Sequence, residues 1–75
     1  MSKKAARQVI VTVDDQFLKN IDDVAKKLRS AGMKVGNVMS SLGIVAGEVS
    51  DAKLEALKKV KGVKNVELDE EMKAI

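Results

Sequence analysis

Gln8-Val9-Ile10-Val11-Thr12-Val13-Asp14-Asp15 is the stretch that decides the fold. From Val9 to Val13 every residue is β-branched, stiff at χ1 and suited to a pleated strand. Two aspartates follow, short side chains that accept hydrogen bonds from the unpaired amides of a helix's first turn. The stretch therefore predicts a strand that feeds directly into a helix. Beyond it Phe17, Ile21, Val24, Ala25 and Leu28 recur at steps of three and four, while Lys19, Asp22, Asp23, Lys26, Lys27 and Arg29 occupy the other face. This amphipathic helix is expected to stop near Gly32, a residue free to take the left-handed conformation just past a helix end.

From Met33 onward the pattern returns to a period of two, with Met33, Val35 and Met39 as the inward set and as core filler. Ser40-Ser41 breaks the run, and Leu42, Ile44, Val45 and Val49 resume it, which predicts a hairpin. Ser50 or Asp51 then caps a shorter helix with Leu54, Leu57 and Val60 inward. Gly62 is expected to close it as Gly32 closes the first, and Val63 to Leu68 form a last strand. The two halves echo each other after each helix, in Gly32-Met33-Lys34-Val35-Gly36-Asn37-Val38 and Gly62-Val63-Lys64-Asn65-Val66. Two such βαβ units most simply interleave into one α+β domain over residues 1–75. The expected fold is a ferredoxin-like βαββαβ sandwich, a four-stranded antiparallel sheet with both helices on one face. Residues 1–6 and 70–75 are expected to be flexible ends.

Composition narrows the chemistry. The 75 residues contain no cysteine or histidine and a single aromatic, Phe17, so the core is aliphatic and no disulfide supports it. Without His or Cys the commonest general base, the strongest side-chain nucleophile and the best transition-metal ligands are missing, and a catalytic or cofactor-dependent role is not expected. The net charge of +3 is small and its 14 basic and 11 acidic residues alternate along the chain, so nucleic acid is not indicated. No apolar run approaches the roughly 20 residues of a membrane span, and Met1-Ser2-Lys3-Lys4 leads into a polar stretch rather than an export signal. A cytoplasmic protein without a membrane role is the expectation.

A sheet covered on one side leaves the other open, and that side is where function is expected. With Val9, Val11 and Val13 inward, Ile10 and Thr12 point outward; with Val45, Gly47 and Val49 inward, Ile44, Ala46 and Glu48 do. These strands are central in the expected order, so Ile10, Thr12, Ile44 and Ala46 would make a small apolar centre suited to protein contact. Other clusters read more plainly. Glu67, Asp69, Glu70 and Glu71 lack the spacing of a calcium loop and read as a solvated charge run. Ser40, Ser41 and Gly43 meet the needs of a turn rather than an anion nest, and the five glycines form no dinucleotide loop. Thr12-Val13-Asp14-Asp15 stands where a copper chaperone of this fold carries two cysteines, and the central strands lack the aromatics that stack RNA bases.

The second half carries a resemblance, from Ile44-Val45-Ala46-Gly47-Glu48-Val49-Ser50-Asp51 through Ala52-Lys53-Leu54-Glu55-Ala56-Leu57 to Gly62-Val63-Lys64-Asn65-Val66-Glu67-Leu68-Asp69. It resembles the propeptide and inhibitor family of subtilisin-type serine proteases, whose members share a G-V-x-x-V-E-x-D element that this chain repeats from Gly62 to Asp69. The resemblance implies the same ferredoxin-like sandwich and a protease inhibitor or folding helper. In that role the open sheet face packs on two protease helices and Glu48, Glu67 and Asp69 cap their N-termini. The tail Met72, Lys73, Ala74 and Ile75 would lie along the active-site cleft, with Ile75 in the pocket nearest the catalytic serine and Met72 in the fourth. Val45 departs from the family, standing where a large aromatic is usual, and a chain running from Met1 to Ile75 implies a free-standing member. The alternative is a regulatory or homo-oligomerising module of the same fold, a homodimer joined through Ile10, Thr12, Ile44 and Ala46.

Overall fold

The computed structural model describes residues 6–68, excluding the side chain of Ala6. The expected tail residues Met72, Lys73, Ala74 and Ile75, and Asp69 among the acidic candidates, lie outside the described residues. So do the expected flexible ends, except Ala6, which already belongs to the first strand.

The first strand, β1 (Ala6–Val13), ends at Asp14, whose carboxylate accepts from the Gln16 amide at 3.1 Å. The helix that Asp14 caps differs from the expected continuous one. Its first six residues, Asp15–Asn20, wind as a 3-10 helix, and α1 proper is Ile21–Ser30. The tighter winding lays Phe17 beside Gly62 and Leu18 beside Gly43, so consecutive apolar residues reach the two turns that flank the end of β1. Those turns hold the strand end by its backbone, Val13 donating to the Gly43 carbonyl and Asp14 to the Gly62 carbonyl, each at 2.8 Å.

α1 ends as expected. The Met33 amide reaches back to the Leu28 carbonyl and the Gly32 amide to that of Arg29, both at 3.0 Å, a Schellman closure that Gly32 permits with a φ of +112°. Gly62 plays a different part from the one expected of it. α2 (Asp51–Lys58) stops at Lys59, and Gly62, with a φ of +98°, is the third residue of a tight turn in which Val63 donates to the Val60 carbonyl at 3.1 Å. Ser50 holds the N-cap position of α2 with extended backbone but without a side-chain cap bond. Asp51, next to it, is bonded by the Arg7 guanidinium, which ties the start of β1 to the helix.

With β2 (Lys34–Met39), β3 (Ile44–Ser50) and β4 (Val63–Leu68) the sheet runs β2-β3-β1-β4, every neighbour antiparallel. This is the ferredoxin-like α+β arrangement. Val9, Val11 and Val13 of β1 and Val45 and Val49 of β3 are buried in one cluster with Ile21, Val24, Ala25 and Leu28 of α1 and with Leu57 of α2. The inward faces of the two central strands are those expected from their alternation.

The edge strands depart from simple alternation. In β2, Val35 lies opposite Gly47 and Asn37 opposite Ala46, which leaves Gly36 as an extra residue. In β4, Asn65 lies opposite Thr12 and Val63 opposite Val13, which leaves Lys64 as the extra one. Each β-bulge shifts the facing of its strand by one position. Val35 and Val38 therefore both pack on the core, and Met39, expected inward, lies opposite Ile44 on the open face. Met33 is buried as expected. Leu42, expected to resume the apolar run after Ser40-Ser41, sits in the turn and is 65% exposed, because Leu42 and Gly43 close the turn with backbone bonds to Met39 and Ser40.

Candidate functional site

The register assembles the open face row by row. Across the sheet, Met39, Ile44, Thr12 and Asn65 form one row; Asn37, Ala46, Ile10 and Glu67 the next; and Lys34, Glu48 and Gln8 a third. Side chains opposite one another in antiparallel strands share a face, so these residues make one surface on the side away from the helices. Ile10, Thr12, Ile44 and Ala46, singled out from the sequence, fall together in the two central columns, each half-buried. Half-burial on a face without a covering layer comes from the neighbours: Ile10 stands between Ala46 and Glu67, and Ile44 between Met39 and Thr12.

Two carboxylates flank this centre. Glu48 accepts a hydrogen bond from the Gln8 side-chain amide at 2.9 Å, and Glu67 one from Asn65 at 2.9 Å. Each bond engages one carboxylate oxygen, so each carboxylate is steered while the second oxygen keeps its accepting capacity. Two strand spacings across and two residues along put their Cα atoms about 12 Å apart. Lys34, opposite Glu48, is the one cation in the three rows.

The sequence reading missed Met39, Gln8, Lys34, Asn37 and Asn65 as members of the face. A signal for three of them is present in the echo between the halves. Gly36-Asn37-Val38 and Lys64-Asn65-Val66 are the same bulge used twice, and in each the asparagine is the first residue returned to the open side. Val35 with Val38, and Val63 with Val66, are spaced by three within a strand and all four pack on the core, a spacing that alternation forbids unless a residue is inserted.

Among the described residues no polar or charged side chain is buried, and none of the acidic residues gather in threes close enough to hold a metal ion. No described helix is long and apolar enough to cross a membrane. Comparison with known proteins finds no matching family model, no matching curated protein and no matching solved structure.

Proposed function

We propose that this chain is a small non-catalytic binding protein that docks a protein partner on the open face of its sheet, in the manner of subtilisin propeptides, with a subtilisin-type serine protease as that partner. The observation that carries the reading is the joining of Ile10, Thr12, Ile44 and Ala46 into one apolar centre flanked by Glu48 and Glu67. An apolar centre with a polar border has the anatomy of a recognition patch. The spacing of the carboxylates also supports it. Packed helices lie about 8–10 Å apart, so two acceptors about 12 Å apart are placed to meet the N-terminal amides of two neighbouring helices on a partner surface. The inhibitor or folding-helper role, and the part of the tail in it, rest on the resemblance alone.

The test is residual subtilisin activity against increasing protein, run beside Glu48→Gln with Glu67→Gln, and beside Ile44→Lys. Progressive inhibition by the intact chain that each variant weakens supports the reading. Full protease activity at about 100 μM of a chain shown to be folded and uncleaved, corresponding to binding weaker than about 5.5 kcal/mol, refutes it.

A further inference from the structure

The open face is complementary to itself. Its charges lie off centre, with Glu67 in the β4 column of the middle row and Glu48 and Lys34 side by side in the third. The central columns of the first two rows hold only Ile44, Thr12, Ala46 and Ile10. We propose that a second copy of the chain packs face to face on this surface, about a twofold axis that runs along the strands between β3 and β1. Such a dimer rests on the reading of this face as a docking surface, though not on a protease as the partner.

Sheets pack face to face about 10 Å apart, with the side chains of the two faces interdigitating. A twofold axis along the strands keeps every residue in its own row and reverses the order of the columns, so β3 lies over the second copy's β1 and β2 over its β4. Ala46 then meets Ile10 and Ile44 meets Thr12, a smaller side chain against a larger one on both sides of the axis. In the middle row Asn37 comes over Glu67, whose carboxylate keeps one oxygen beyond its bond to Asn65. In the third row Glu48 comes over Gln8, the donor it already holds at 2.9 Å within its own chain, and each Gln8 amide has a second N–H to give. Lys34, the cross-strand neighbour of Glu48, offsets the approach of the two Glu48 carboxylates. The rotation of about 30° at which such sheets pack moves the outer columns by about 4 Å, less than one row, so these pairs stay within reach. An axis across the strands does worse. Through the middle row it sets Glu67 on itself and Ile44 on Glu48; shifted by half a row, it covers two of the three rows.

Three rows across four strands cover about half of the roughly 800 Å² that each partner of a standard interface buries, which places the dimer among weak, concentration-dependent contacts. Any other partner that uses the face must displace the second copy. The assay is sedimentation equilibrium of the chain alone from about 1 μM to about 1 mM, with each variant checked for folding by circular dichroism. The intact chain should pass from monomer to dimer within that range, and Ile44→Lys should remain monomeric. Asn37→Lys should tighten association by about threefold or more, because the new ammonium meets the second copy's Glu67, and adding Glu67→Gln should abolish that gain. Within one chain Asn37 and Glu67 stand three strand spacings apart, about 14 Å, so the coupling arises between copies. A monomer at about 1 mM overturns the proposal. So does a dimer that folded Ile44→Lys leaves intact, which would be joined elsewhere. An Asn37→Lys gain that fails to appear, or that survives Glu67→Gln, overturns the axis along the strands. No protease is present, so a monomer here leaves the inhibition assay standing, and a dimer that does not inhibit leaves this contact standing.

Discussion

Gly47 is where the backbone leaves no room, and replacing it with alanine tests the architecture most directly. It lies on the inward face of β3 opposite Val35, beside the bulge at Gly36. A Cβ there would stand 2.2 Å from the Lys34 carbonyl oxygen, 3.1 Å from the Gly36 amide nitrogen and 3.0 Å from the Met33 methyl. The methyl can rotate aside. The carbonyl and the amide belong to the main chain, so β2 must retreat by more than about 1 Å to restore ordinary contact near 3.5 Å. Overpacking of this kind costs about 1–3 kcal/mol, and a clash with backbone belongs at the upper end. Reduced freedom of the unfolded chain returns about 0.4–1 kcal/mol, which leaves a net loss of about 2 kcal/mol.

For a chain of this length, whose whole stability is about 4–11 kcal/mol at typical values per residue, that loss is substantial. At about 4–8 °C per kcal/mol it lowers Tm by roughly 8–16 °C. Gly36→Ala is the matched control. The Cβ it adds would lie 3.5 Å from the Ala46 carbonyl oxygen and 3.9 Å from the Gly47 Cα, ordinary contacts, and Gly36 has no positive φ. It should leave stability unchanged or raise it by up to about 1 kcal/mol. Urea unfolding followed by far-UV circular dichroism measures both. Equal effects of the two substitutions, or Gly47→Ala within about 0.5 kcal/mol of the parent, would show that β2 does not approach β3 as described.

Other perturbations separate fold from binding. Leu57 is fully buried and is the one residue of α2 in the central cluster, so Leu57→Ala should cost about 2–5 kcal/mol in the same unfolding assay. Ile44→Lys, on the open face, should change stability by less than about 1 kcal/mol while removing partner binding measured by protease titration; loss of the circular dichroism signal would place Ile44 in the core. If the tail serves as the resemblance implies, deleting residues 72–75 should weaken inhibition by more than about tenfold, or about 1.4 kcal/mol, with the unfolding curve unchanged. In the same assay Ile75→Leu should tighten inhibition, since a β-branched side chain is stiff at χ1 and fits such a first pocket less well.

The central strands were legible because each is paired on both sides and buried on one face, so that Val9, Val11 and Val13, or Val45 and Val49, have a single register that hides them all. The edge strands were less so. A strand held on one side can absorb an extra residue at Gly36 or Lys64, and a reading by strict alternation then sends Met39 to the wrong face. Helix ends divided in the same way. Gly32 follows the last turn of α1 immediately and serves as its stop, whereas three residues separate Gly62 from the end of α2, and its left-handed backbone serves a separate turn. The candidate face was therefore legible at its centre, in Ile10, Thr12, Ile44 and Ala46, and only partly at its border, in Glu48 and Glu67.

The size of that face bears on how it would be used. Three rows across four strands, at about 4.8 Å between strands and about 7 Å between rows, span roughly 400 Å². A standard interface buries about 800 Å² on each partner. A partner confined to this face would therefore bind weakly, with its orientation fixed by Glu48 and Glu67 more than its affinity, since charges at a border act mainly on encounter and specificity. Tight binding needs further surface continuous with the face. Among the described residues the hairpin turn with the exposed Leu42 is the element that offers it, at the end of the face where Met39, Ile44 and Thr12 lie.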